Sequence, residues 1–296
     1  MPLPPKYLLP VFFLVLLIGA VVLGPLLYFG MAFVYPIPFH RAMDRALLIS
    51  AVAALGLAWS RIPFRALWPL NHHAWKQVLL GLVIAAVSAQ TMIGFNYAFN
   101  GFTSAHLPVA KLVSRVLLAL VAALLVPPLE ETVFRGFVQS ELIECIGWRG
   151  GWLIAAVIYM CAHFLKIPTE LDQQPVHLWS GVTALGAAFL PLTHGDFLVG
   201  NVGRALNLFL LGLIFGGIFL RCGSLWVNAG LHGGLIFILI LFTGLTRADD
   251  QPRVPVLGGD IVSSLSTTVV LVVLGLWLWR FYRHPSVVPE TGENAP

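Results

Sequence analysis

Apolar runs of about 20 residues, almost free of charge, recur along this chain and are separated by short polar segments. A soluble fold could not bury that much continuous apolar surface, whereas a lipid bilayer is its natural solvent. Of 296 residues, 58% are hydrophobic and 10% charged, against roughly 25% charged in an ordinary soluble domain. The mean hydropathy is +0.89. The predicted fold is therefore all-α, a polytopic transmembrane helical bundle. Spans are expected near 8–29, 44–60, 77–98, 110–128, 151–167, 204–221, 224–245 and 262–281, eight in all. Segment 177–192 is apolar but short and holds Pro191, which fits a half-helix or surface helix and leaves a ninth crossing open. Residues 1–284 read as one integral membrane domain, and the polar, proline-bearing stretch 285–296 as a disordered tail.

The run from Tyr7 to Gly30 is longer than a signal-peptide core and lacks an evident small-residue cleavage site, so it reads as the first span. The basic residues orient the bundle. With both termini cytoplasmic, Lys6, Arg61, Arg65, Lys76, Arg149, Arg221, Arg280 and Arg283 share the inner face, and Arg41, Arg45, Lys166, Arg204, Arg247 and Arg253 the outer. The cluster Arg61, Arg65 and Lys76 in one short loop decides for this orientation, in the cell membrane. A net charge of +4 and a pI near 9.2 suit contact with anionic membrane lipid. Nucleic acid is not an expected partner, because the basic residues are scattered between spans and form no stripe.

Cys145, Cys161 and Cys222 are an odd set without a Cys-x-x-Cys pair, which argues for buried, inert thiols rather than a disulfide framework or zinc ribbon. Trp59, Trp75, Trp152, Trp226, Trp277 and Trp279 fall near predicted span ends, where indoles sit at the membrane interface.

Against this background Glu130, Glu131 and Arg135 stand out, three charges within six residues. Each ionisable group near the bilayer centre costs roughly 2.5–3.5 kcal/mol on insertion scales, so such groups persist where they are paired, hydrated or catalytic. Pro127 and Pro128 precede them and should end or kink the fourth span. A new helix starting there would put both carboxylates in its first turn, at the positive end of its dipole. Glu131 and Arg135, four apart, share a face and can pair. Glu130 lies about 100 degrees round the helix, free to meet other spans. His163, in Tyr-Met-Cys-Ala-His-Phe late in the fifth span, and His232, in Asn-Ala-Gly-Leu-His-Gly-Gly in the seventh, each need a partner in an apolar setting. Gly233 and Gly234 permit close helix packing or access for a substrate backbone, and Asn228 shares the His232 face. The other histidines, His40, His72, His73, His106, His177, His194 and His284, fall in loops or at span ends.

Taken together these residues resemble the CPBP intramembrane glutamic endopeptidases, relatives of the CAAX prenyl protein proteases and bacteriocin-immunity proteins. The resemblance covers roughly 125–240. It rests on Glu130, Glu131, Arg135 and Gly136; on Tyr159 through His163; and on Gly212, Gly216, Arg221, Gly223, Ser224, Leu225, Trp226 and His232. One position departs: the family's His-x-x-x-Asn/Asp has Ile236 here. Asn228, one turn on the other side of His232, is a candidate substitute.

The resemblance implies a conical intramembrane cavity and hydrolysis of a peptide bond in a membrane-associated or lipidated substrate, without cofactor or metal. Glu130 and His163 would activate water and His232 would stabilise the oxyanion, with Asn228 the candidate second donor beside it, while the spacing of Glu131 and Arg135 makes them a structural ion pair. Three other readings use the same residues: a zinc hydrolase built on one Glu and two His, a non-catalytic scaffold or immunity protein, and a transporter, for which no duplicated halves are visible.

Overall fold

The computed structural model describes residues 5–58, 62–100, 102–105, 107–248 and 261–281. The expected tail 285–296, with Trp59, Arg61, His106, Arg253, Arg283 and His284, lies outside them. The described chain is helical: α1 Pro5–Ala32, α2 Phe39–Leu57, α3 Phe64–Leu67, α4 Ala74–Asn100, α5 Val109–Glu131, α6 Ser140–Ala162, α7 Ser180–Phe189, α8 Gly195–Gly200, α9 Val202–Cys222, α10 Trp226–Leu245 and α11 Leu265–Phe281. A π-helical stretch, Thr132–Gln139, joins α5 to α6. One short antiparallel ribbon pairs β1 Phe102–Ser104 with β2 Thr246–Ala248.

Five helical stretches are long and apolar enough to cross a membrane: Tyr7–Ala32, Ala74–Ala98, Val109–Ala162, Val202–Cys222 and Trp226–Leu245. The expected span at 44–60 is α2, which carries Arg41, Asp44 and Arg45 in its first two turns and is not among the five. The expected span at 262–281 is the shorter α11, of 17 residues. The spans expected at 110–128 and 151–167 belong to a single helical run of 54 residues. At 1.5 Å per residue, so long a run would be about 80 Å if straight, far more than a hydrocarbon core of about 30 Å. It is not straight. Gly147 takes φ 80° and ψ 163°, a conformation that strains any side chain, and the chain folds back on itself there. A Cβ on Gly151 would fall 2.6 Å from the Ile143 amide nitrogen, so the two arms touch directly beyond the bend. Cys145, expected to be buried, is exposed beside this bend.

Of the two expected outcomes at the prolines, an end to the helix is not seen. α5 runs through Pro127 and Pro128 to Glu131, and the backbone continues into the π stretch. Without an amide hydrogen Pro127 leaves the Ala123 carbonyl unbonded along the helix. The neighbouring α10 covers it: a Cβ on Gly233 would lie 2.7 Å from that oxygen. Thr132 in turn donates to the Pro128 carbonyl at 2.6 Å and accepts from the Trp68 indole at 3.1 Å.

Two compact units emerge. The first comprises Met1–Ile62 with Met160–Asn201. In it α1 and α2 pack around Ala20, Phe39 and Met43, joined by Ala184 and Ala188 of α7, and His40 is tied to Asp172 by backbone and ring. The second comprises Pro63–Tyr159 with Val202–Pro296. Its core gathers Ala85 and Met92 of α4, Tyr159 of α6, Phe215 and Ile218 of α9, Leu231 and Leu235 of α10, and Leu271 of α11. Helices α4 and α10 cross through glycine: a Cβ on Gly81 would lie 2.3 Å from the Val227 carbonyl, and one on Gly230 2.2 Å from that of Val78. Near one end of this unit Asn96, Asn207, Ser264, Ser266, Thr267 and Thr268 are all buried and hydrogen-bonded to one another or to nearby carbonyls.

Candidate active site

The second unit brings five of the six residues singled out from sequence into one cluster. Glu131, in the last turn of α5, has no solvent exposure at all. Its Oε1 accepts from Arg135 Nη1 at 3.3 Å and faces His232 Nδ1 at 3.0 Å, and its Oε2 accepts from Asn228 Nδ2 at 2.9 Å. Three side chains therefore converge on a carboxylate that an apolar environment alone would not hold as an ion. The predicted ion pair is present, in a different setting: both glutamates sit at the end of α5 and not in the first turn of a new helix, so side-chain hydrogen bonds hold Glu131 in place of a helix dipole.

Arg135 is itself buried in an aromatic box. Its guanidinium carbon lies 4.3 Å from the Tyr159 ring centroid, 5.0 Å from that of Phe215 and 5.8 Å from that of Phe134. Cation–π contacts of this kind compensate desolvation of the charge. The box is cross-braced by edge-to-face contacts of Tyr159 with Phe134 at 5.1 Å and with Phe215 at 6.3 Å.

His232 occupies the seam between the two carboxylates. Phe215 stacks on its ring at 5.0 Å with the planes 26° apart, which fixes the ring's orientation. Its Nε2 points the other way from Glu131, with Glu130 Oε2 at 3.8 Å. Glu130 keeps 29% of its side chain exposed where Glu131 keeps none. Asn228, one helical turn before His232, gives its amide to two acceptors, Glu131 and the Phe215 carbonyl, the latter at 2.9 Å. Its Oδ1 is buried without a donor among the described residues. Ile236 offers no polar atom. Gly234 is occupied by packing, a Cβ there falling 2.5 Å from that of Ala85, so both glycines after His232 lie against neighbouring helices.

His163 lies in the first unit and just beyond a helix, not within a span. α6 ends at Ala162, and the next three amides bond three residues back, His163 to Met160 at 3.2 Å among them. Among the described residues no three His, Cys, Asp or Glu side chains assemble as a metal-ligand set. Sequence reasoning missed Phe215 and Phe134, since an aromatic residue on an apolar helix carries no signal of what it stacks against.

Fold and site together define a helical membrane protein with an acid–imidazole cluster inside the bundle. Residues 112–238 match the family model described as Rce1-like, Type II CAAX prenyl endopeptidase Rce1-like. Over this stretch the chain is similar to the Rce1-like CAAX endopeptidases, and the stretch contains every residue of the cluster. No curated protein and no solved structure matches the chain.

Proposed function

We propose that this protein is an intramembrane endopeptidase that hydrolyses a peptide bond of a membrane-associated or lipidated protein or peptide, using Glu130 as base. The observation that carries this reading is the asymmetry of the adjacent carboxylates. Glu131 is enclosed and committed to three partners, while Glu130 is partly exposed and lies 3.8 Å from the imidazole of His232. A base must reach a water molecule, and of the two only Glu130 can.

In the proposed reaction Glu130, assisted by His163, takes a proton as the water oxygen bonds to the peptide carbonyl carbon. The carbonyl electron pair moves to its oxygen, and His232 Nε2 donates a hydrogen bond to that anion. Preorganised donors count most in a site from which water is largely excluded. Glu130 then passes the proton to the departing amine as the carbon–nitrogen bond breaks. With the Asn228 amide donors committed and Ile236 apolar, His232 carries the oxyanion role among the residues of the cluster. The cell membrane, with cytoplasmic termini, remains the proposed setting.

His232→Ala should lower turnover of a lipidated peptide by about 100- to 1,000-fold without unfolding the protein. Unchanged turnover in that variant would overturn its assignment. A zinc-dependent reaction would instead be abolished by chelators and restored by added Zn²⁺, a result that would overturn the glutamate mechanism. The absence of an amide or carboxylate at Ile236 favours one second reading, a family member that retains the helical core as a scaffold or immunity protein and does not turn over. Wild-type protein that is folded yet cleaves no lipidated or membrane-anchored peptide would decide for it.

A further inference from the structure

We infer that Glu131 is a positioning residue that fixes the tautomer of His232, so that His232 can serve an oxyanion only as a doubly protonated imidazolium. This inference rests on the peptidase reading for its functional consequence but not for its chemistry. An ionised carboxylate has no hydrogen to give. Glu131, paired with Arg135 and bonded by the Asn228 amide, is such an acceptor on every side. The 3.0 Å contact with His232 Nδ1 must then be filled by the hydrogen of the ring nitrogen. A neutral His232 is therefore protonated on Nδ1 and bears a lone pair on Nε2.

That lone pair would look toward Glu130 Oε2, 3.8 Å away. An oxyanion reaching that nitrogen therefore meets a donor only when the ring carries both protons. Among the described residues, α9 contributes the uncharged Phe215 ring and carbonyl and α6 the Tyr159 ring over Arg135.

The arrangement has a geometric support as well. Asn228 ties Glu131 Oε2 to the Phe215 carbonyl, and the Phe215 ring stacks on the imidazole. One side chain thus links the carboxylate that sets the tautomer to the residue that sets the ring plane. A carboxylate behind a histidine, holding Nδ1–H so that Nε2 faces the chemistry, is a general device for directing imidazole protons.

The test is nitrogen NMR of the purified full chain in detergent, labelled at histidine, with the His232 ring assigned by its disappearance in His232→Gln. The wild-type ring should be protonated on Nδ1 in both its neutral and charged forms. A bare Nδ1 in the wild type would overturn the inference, and that measurement needs no other variant to fold. Replacing the ion pair together, Glu131→Leu with Arg135→Met, removes the acceptor without stranding a charge. In that variant the neutral ring should revert to the Nε2–H tautomer, a donor toward the oxyanion without a second proton. Retention of Nδ1–H in the double variant would also overturn it. Wild-type protein with the predicted tautomer but no peptidase activity would uphold the inference while removing the peptidase reading.

Discussion

Glu130 and Glu131 are chemically identical neighbours that end in opposite circumstances, and their surroundings alone make the difference. Removing Arg135 while leaving Glu131 strands a buried charge, so Arg135→Met should cost on the order of 3–5 kcal/mol. Thermal melting in detergent checks it, and the paired Glu131→Leu, Arg135→Met protein should regain most of that loss. Arg135→Lys keeps the charge but loses the planar stack on Tyr159 and Phe215, and should be destabilised by about 1–2 kcal/mol. A lysine variant as stable as wild type would mean that the aromatic box contributes little. At this scale residue spacing is informative. A separation of four on a helix is enough to set Arg135 against Glu131 and Asn228 beside His232. Spacing does not show that Asn228 bonds Glu131 in preference to facing substrate, because that depends on Phe215, which lies on another helix and enters only through packing.

Helices α4, α5 and α10 meet through backbone rather than side chains. At Gly81 and Gly230 a methyl group would fall within 2.5 Å of the opposing main chain, which a rigid crossing cannot absorb. Gly81→Ala or Gly230→Ala should each destabilise the protein by about 1–3 kcal/mol. Gly94→Ala, on the same helix as Gly81 with nothing within 4 Å of the added carbon, should change stability by under about 1 kcal/mol. Equal melting temperatures for all three would contradict the crossing. Local sequence pattern misled most at Pro127 and Pro128. Proline disrupts a helix by leaving a carbonyl unbonded, yet here the glycine face of α10 covers that carbonyl, and α5 continues. The π stretch Thr132–Gln139 that follows has no signature in residue type, and the bend at Gly147 is one glycine among 28. Both are settled by contacts between elements far apart in the chain.

Across the whole molecule the fold class was legible because a bilayer imposes it: long apolar runs have few other places to go. The count of crossings was less so. Charged residues at the start of α2 and the short length of α11 set these helices apart from the five plain spans. Orientation is open to direct measurement at Leu70, which is 92% exposed in the turn before α4. With the three native cysteines replaced, Leu70→Cys should react with an impermeant maleimide in inverted membrane vesicles and not in intact cells. Labelling of intact cells would reverse the proposed topology. The proposed chemistry stands or falls on Glu130 as its acid and base. Purified wild type and Glu130→Gln, reconstituted in liposomes with a lipidated peptide and followed by mass spectrometry, test this most directly. The account predicts an internal peptide bond cut by the wild type and no product above background from an equally stable glutamine variant. Cleavage by that variant at the wild-type rate would contradict it.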